Sequence, residues 1–418
     1  MTDLAFIDKA LVSARPRAVA ALLRYFRNLD TAEEAFQEAC LRALKTWPEK
    51  GPPRDPTAWL ILVGRNVALD QTRRARRQEP LPEGDEIADP EVSEAELVER
   101  LDEAHYRDDV LRLLFVCCHP ELPATQQIAL ALRMVSGLSV AQIARAFLVT
   151  ETAMEQRITR AKARIAKADV PFEAPGPVER AERLAAVMAM IYLVFNEGYS
   201  ASGGDAPMRA GLCDEAIRLA RLLLRLFPAE PEMMGLTALL LLQHSRSAAR
   251  FDGNGELVLL DDQDRALWNK GMIAEGLALL EKAIRHRRRG VYQIQAAVAA
   301  LHAQAVSPAD TDWDEIEQLY GALEALTPSP VITLNRAVAV SKAKGPKEAL
   351  DMIAPLEAKL SGYFHYFGVK GALLKDLGRN EEARTAFDRA IALANSPAEA
   401  AHIRMHLDRL AKEGARAG

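Results

Sequence analysis

A chain of 418 residues is longer than one hydrophobic core fills, so two to four domains are expected. Hydrophobic residues at 49% and charged residues at 27% exclude a disordered or fibrous chain, and the net charge of -5 excludes a uniformly basic one. The charge is uneven, with a basic segment at 65–77 followed by an acidic one at 79–103.

Residues 4–29 carry a helical pattern through Leu4, Ile7, Leu11, Val19, Leu22, Leu23 and Phe26, expected to break near Pro16. Asp30 or Thr31 is placed to cap the next helix, whose first turn carries Glu33 and Glu34 where the helix dipole favours acids. That helix, A-E-E-A-F-Q-E-A-C-L-R-A-L-K-T-W, is expected to bury Ala35, Phe36, Ala39, Leu41, Leu44 and Trp47 and to expose its acids and Gln37. The loop from Pro48 to Pro56 ends it. Thr57 to Arg77 then reads as one amphipathic basic helix, with Trp59, Leu60, Leu62, Val63, Val67 and Leu69 at helical spacing. Five arginines there face a single acid, Asp70, a density suited to tracking phosphates.

Residues 79–104 hold eleven acids, one Arg and Pro80, Pro82 and Pro90, the composition of a linker whose end at Ser93 to Glu103 is helix-compatible. Leu111 to Cys118 is an apolar helix, and T-Q-Q-I-A-L-A-L-R-M-V-S-G after Pro123 is another, stopped by Gly137. Ser139 with Gln142 makes a capping box for V-A-Q-I-A-R-A-F. A turn from Leu148 to Thr150 leads into E-T-A-M-E-Q-R-I-T-R-A-K-A-R-I, which buries Met154, Ile158 and Ile165 and leaves Gln156, Arg157, Arg160, Lys162 and Arg164 outside. The spacing is that of a helix-turn-helix.

D-T-A-E-E-A-F-Q-E-A-C-L-R-A-L followed by A-W-L-I-L-V-G-R-N-V-A-L-D-Q-T-R-R-A-R-R resembles region 2 of the extracytoplasmic-function sigma factors of bacterial RNA polymerase, and the helix-turn-helix stands where region 4 of that family stands. The resemblance implies that Asp30, Glu33, Glu34, Gln37 and Glu38 dock on the coiled coil of the polymerase clamp. It implies that Trp59 and the loop before it hold a flipped base, with Arg65, Asn66, Arg73, Arg74, Arg76 and Arg77 on phosphates. It also implies that Thr152, Gln156, Arg157, Arg160, Lys162 and Arg164 read the major groove. The expected partners are core RNA polymerase, through its clamp coiled coil and flap, and promoter DNA at the -35 and -10 elements. One departure is Glu155, where the family often has a basic residue; a carboxylate accepts from cytosine N4 but repels phosphate.

Pro171 to Pro177 is a second linker, and the residues beyond it exceed a minimal sigma factor of this group. Ala337, Ala349, Ile353 and Leu356 recur 34 residues later as Gly371, Ala383, Phe387 and Ala390 and, with Gly378, match a tetratricopeptide helix pair. Weaker echoes occur at Ala216, Ala220 and Pro228, at Gly276 and Ala283, and at Tyr320, Leu323 and Pro328. Asp252 to Asp264 starts like a calcium loop but lacks its Gly and final Glu, so a turn with a short hairpin or loop is expected. His286 to Arg289 reads as a solvated helix end, and N-E-G-Y-S at 196–200 as a loop after a helix from Leu184 to Phe195.

Cys40, Cys117, Cys118 and Cys213 lie in apolar helical patterns and read as reduced, buried thiols. No metal site or other cofactor is expected, and no nucleophile and base pattern suggests an enzyme. Neither a signal peptide nor a membrane span is legible, so a cytoplasmic location without membrane partners is expected. The expected fold is all-α. It comprises a region 2 domain at 1–79, an acidic linker at 80–104, a region 4 domain at 105–168, a Pro-rich linker at 169–180 and an α-solenoid of tetratricopeptide-like pairs at 181–418. The solenoid is expected to regulate the rest through a protein or peptide ligand. The alternative is a repeat-containing adaptor with an operator-binding helix-turn-helix.

Overall fold

The computed structural model describes residues 4–77, 103–147, 149–168, 177–199, 206–253 and 258–394, with isolated positions to 407. The chain divides into two compact units, Met1–Val194 and Phe195–Gly418. Every extended run of secondary structure among the described residues is helical.

In the first unit, α1 (Leu4–Phe26) passes through Pro16 without the expected break. Proline removes one backbone donor, but Ile7 on one side and Ala18, Val19, Leu22 and Leu23 on the other are buried and hold the helix in line. α2 (Leu29–Lys50) starts earlier than Asp30 or Thr31 would allow as caps, because Asn28 Oδ1 accepts the Thr31 N–H at 3.0 Å. It runs past Pro48 to Gly51, whose φ of 81° lets its N–H close on the Trp47 carbonyl. Leu41 and Leu44, expected inside, are exposed, whereas Glu33, expected outside, is buried.

α3 (Pro56–Arg77) is capped by Asp55, whose Oδ1 accepts from the N–H groups of Thr57 and Ala58. Gly64 is the crossing point with α2: a β-carbon there would stand 2.8 Å from the Ala35 carbonyl oxygen. Helices α1, α2 and α3 pack against one another in a three-helix layer.

α4 (Glu103–Cys117) packs against α1. α5 (Ala124–Ala131) widens into a π-helical turn, Leu132–Ser136, that ends at Gly137 with φ 75°. α6 (Val140–Ala146) carries the expected capping box of Ser139 and Gln142. α7 (Glu151–Lys167) is capped by Thr150 and buries Met154, Ile158, Ala161 and Ile165 in one stripe. Contacts of α7 with both α5 and α6 complete the helix-turn-helix. Residues 78–102, which hold all but the last two positions of the acidic linker expected at 80–104 and all but Glu103 of its expected helical end, lie outside the described residues, as do Leu148 and 169–176, while Glu103 and Ala104 begin α4.

α8 (Pro177–Tyr199) continues through Asn196 to Tyr199, where a loop was expected. The Tyr199 ring explains the extension: Phe195 stacks on it, Arg246 donates to its hydroxyl at 2.8 Å, and the Arg250 guanidinium lies 3.6 Å from its centre.

The second unit is a succession of helices: α9 (Ala206–Leu226), α10 (Pro231–His244), α11 (Lys270–Arg285), α12 (Val291–Gln304), α13 (Trp313–Leu326), α14 (Pro330–Ala343), α15 (Pro346–Ile353), α16 (Phe364–Asp376) and α17 (Asn380–Leu393). Each packs on its sequence neighbours, as stacking in a solenoid requires. α10 buries every residue but Glu232 and Gln243, so it forms the core of its end of the stack. At the other end Ala337, Ala349, Ile353, Gly371, Ala383, Phe387 and Ala390 are buried, whereas Leu356 lies half-buried in a 3-10 turn after α15, so the 34-residue recurrence extends to packing at three of its four positions. Between α10 and α11, residues 254–257 of the segment that begins like a calcium loop lie outside the described residues.

Candidate functional site

Asp30, Glu34 and Gln37 stand exposed along α2, with Glu38 half-buried beside them. Glu33 differs from its neighbours: it is 5% exposed and accepts three cations. Arg133 Nη2 lies 2.7 Å from Oε1, Lys162 Nζ lies 3.0 Å from Oε2, and Arg15 Nη2 approaches Oε1 at 3.6 Å. Lys162 also bonds Asp30 Oδ1 at 2.6 Å. Two residues expected on different partners, an acid for the polymerase and a lysine for DNA, are thus paired with each other. Burial lowers the Lys162 pKa, but hydrogen bonds and charge from Asp30 and Glu33 outweigh it and raise the net value.

Arg15 and Arg133 were not singled out in the sequence. Arg15 Nε and Nη2 donate to the carbonyls of Met134 (3.3 Å) and Arg133 (3.0 Å), and its guanidinium lies 5.0 Å from the Phe36 ring centre. A signal was present in each case. Arg133 is the lone charge in I-A-L-A-L-R-M-V, and Arg15 sits within an apolar helix; such residues enter a core only when paired.

The outer side of α7 is a solvent face. Thr152, Gln156, Arg160 and Arg164 recur every fourth residue and are all exposed, which aligns them in one stripe suited to base edges and phosphates. Arg157 is half-buried beside the stripe, and Glu155 is exposed next to it.

At the start of α3, Trp59 is half-buried and meets the buried Trp47 edge to face, with ring centres 5.3 Å apart. Trp47 therefore fixes the plane that Trp59 presents. Arg65 and Asn66 follow, both half-buried. Arg73, Arg74, Arg76 and Arg77 continue the same helix, but their side chains lie outside the described residues.

All four cysteines are free, and burial pushes the thiols of Cys40, Cys118 and Cys213 up to about 12, which leaves them protonated and unreactive. Among the described residues no cluster of three or more His, Cys, Asp and Glu could hold a metal, and no helix is long and apolar enough to cross a membrane.

The second unit contains a groove of about 340 Å³ lined by His302, Trp313, Ile316, Tyr320, Asn335 and Lys342 among others. His302 meets Trp313 edge to face at 5.3 Å, and Lys342 is paired with Asp261 at 3.6 Å. Apolar walls with a few polar groups suit a peptide or small apolar ligand.

Residues 11–78 match the family described as Sigma-70 region 2, and residues 112–165 match Sigma-70, region 4. Residues 183–284 match a family of unknown function, DUF6596. A protein of Rhizobium meliloti (strain 1021), described as uncharacterized, is 70% identical over 415 residues, 99% of this chain and 98% of that protein. The ECF RNA polymerase sigma factor BldN of Streptomyces coelicolor is 33% identical over 144 residues, which cover 32% of this chain and 50% of that factor. The region 2 match contains α2, α3 and the Trp59 platform; the region 4 match contains the α7 stripe.

Proposed function

The chain belongs to the extracytoplasmic-function group of the sigma-70 family and carries a C-terminal extension, and on that footing we propose how it divides its work. As a sigma factor it binds core RNA polymerase and promoter DNA. The exposed acids Asp30 and Glu34, with Gln37 and the half-buried Glu38, form the surface for the polymerase clamp. Trp59, held by Trp47, stacks on a base extruded from the -10 element, and the arginines from Arg65 to Arg77 hold the opened strand's phosphates. Extruding a base costs a few kcal/mol, so contacts made only with the opened strand drive melting.

The -35 element is read by α7, and the observation that carries this reading is its exposed stripe of Thr152, Gln156, Arg160 and Arg164 on a fully capped helix-turn-helix. The helical extension binds a protein or peptide and regulates the sigma portion; its groove by Trp313 and Tyr320 supports that role.

Run-off transcription with purified core polymerase tests the whole assignment. The full chain should direct initiation from defined start sites, and Glu34→Lys with Glu38→Lys should abolish co-elution with polymerase while leaving the circular dichroism unchanged. Tight binding of the isolated chain to duplex DNA, with no effect on polymerase, would instead show an ordinary operator-binding protein. Ending the chain near Pro175 tests the extension: promoter output should change strongly, downward if the repeats assist assembly and upward if they occlude it.

A further inference from the structure

We propose that, before it meets polymerase, the sigma portion is held closed by an ionic lock between regions 2 and 4, with Glu33 at its centre. The proposal rests on the sigma reading above and adds the state from which binding begins.

The contact is built from residues far apart in sequence. Lys162 of α7 reaches across to Asp30 (2.6 Å) and Glu33 (3.0 Å) of α2, while Arg133 from the π-helical turn after α5 takes the other Glu33 oxygen at 2.7 Å. Arg15 of α1 seals the seam through the carbonyls of Arg133 and Met134. Gly137 makes room for it, since a β-carbon there would stand 2.6 Å from Arg15 Cδ. A second pair lies along the same seam, where Arg24 of α1 meets the buried Asp109 of α4 at 3.4 Å.

The lock withdraws what the two partners need. Glu33 cannot offer its carboxylate to a basic clamp surface while three cations of its own chain surround it, and Lys162 cannot reach a phosphate while it bonds two acids. The first turn of α2 also lies against the flank of α7 at Lys162, which a major groove would have to enclose. A basic surface of the polymerase can replace Lys162 and Arg133 around Asp30 and Glu33, and that exchange frees α7. Binding of polymerase and exposure of the DNA-reading helix are then one coupled step.

Zero-length carbodiimide cross-linking of the full-length chain, followed by peptide mapping, reads the lock directly, because it joins only an amine and a carboxylate already in contact. The free chain should give an amide between Lys162 and Asp30 or Glu33. Prior addition of core polymerase should reduce that product about fivefold or more, in line with ordinary coupling between sites. Protein cross-linked beforehand should fail to enter the holoenzyme. Arg24→Glu, which sets an acid against Asp109, should lower the cross-link yield and speed association with polymerase. Should that variant misfold by circular dichroism, Arg15→Gln removes the two carbonyl contacts without adding an acid and makes the same comparison.

Absence of a Lys162 cross-link to either acid in the free chain overturns the proposal, as does a cross-link that persists undiminished in the holoenzyme. A chain that cross-links as expected but never co-elutes with polymerase, even as Arg24→Glu, overturns the sigma reading beneath it. That result is distinguishable because the internal product is still present.

Discussion

Gly371 lies so close beneath Phe387 that a β-carbon on the glycine would stand 2.6 Å from the ring atoms Cδ1 and Cε1. Both residues are buried, and Phe387 belongs to the core shared by α16 and α17. Gly371→Val should therefore force the two helices apart and destabilise the second unit by about 1–3 kcal/mol, the usual cost of overpacking. Gly211→Ala is the control, since nothing lies within 4 Å of a β-carbon there. Urea unfolding of both variants checks the contrast, and equal midpoints would refute the close approach.

That glycine was legible in the sequence because the repeat compares it with its own copy. Ala337 and Ile353 recur as Gly371 and Phe387 at one offset, so a small and a large position announce each other locally. The three helices of region 2 and the helix-turn-helix were legible for a related reason, since periodicity and caps are properties of a few consecutive residues. The lock was not. Asp30 and Lys162 are 132 positions apart, and either side chain taken alone reads as a solvated charge or a partner contact. The start of α2 was misplaced because Asp30 and Thr31 both look like caps, while the cap that forms, Asn28, precedes two residues earlier. The end of α8 was misplaced because Gly198 suggests a stop, whereas Arg246 and Arg250 hold Tyr199 from a distant helix end.

Arg160 and Arg164 test the DNA-facing side. Both are exposed and lie outside the lock, so replacing them with alanine should leave polymerase binding and the internal cross-link unchanged. Two lost phosphate contacts should reduce the salt slope of promoter binding by about two units. Holoenzyme affinities measured across a salt series give that slope, and an unchanged value would remove these arginines from the interface.

Glu317 of α13 is nearly buried and accepts from Arg336 at 2.5 Å and Lys344 at 3.0 Å. The Arg336 hydrogen bond holds its pKa below the usual carboxylate range, against the opposing effect of burial and with help from Lys344. An exposed ion pair contributes under about 1 kcal/mol, whereas leaving a buried charge unpaired costs about 3–5 kcal/mol. Arg336→Met leaves Lys344 in place, so an intermediate loss of about 2 kcal/mol is expected. Glu317→Gln in the same chain should recover much of it, because the buried carboxylate is then gone and only the more exposed Glu324 and Lys344 are left without their charged partner. Losses that simply add in the double variant would show that the two side chains are not coupled.

His302 gives the second unit an acid-sensitive point. Burial, reinforced by the charges of Arg246 and Arg265, depresses its pKa from 6.5 to about 4, and Arg265 is held in place by donating to the His302 carbonyl at 2.7 Å. The folded chain thus keeps the imidazole neutral at pH values where the unfolded chain protonates it. The stability that this neutral imidazole contributes is fully present above pH 6.5 and is lost as the pH falls through that value to about 4, where the folded form also takes up the proton. The loss across that window should reach up to about 3 kcal/mol. Carboxylates titrate near its lower end, so the informative quantity is the difference between the wild-type chain and His302→Gln. Between pH 6.5 and 5 the wild-type unfolding free energy of the second unit should fall more steeply than that of the variant. Parallel curves over that interval would mean that His302 protonates as freely in the folded unit as in the unfolded chain.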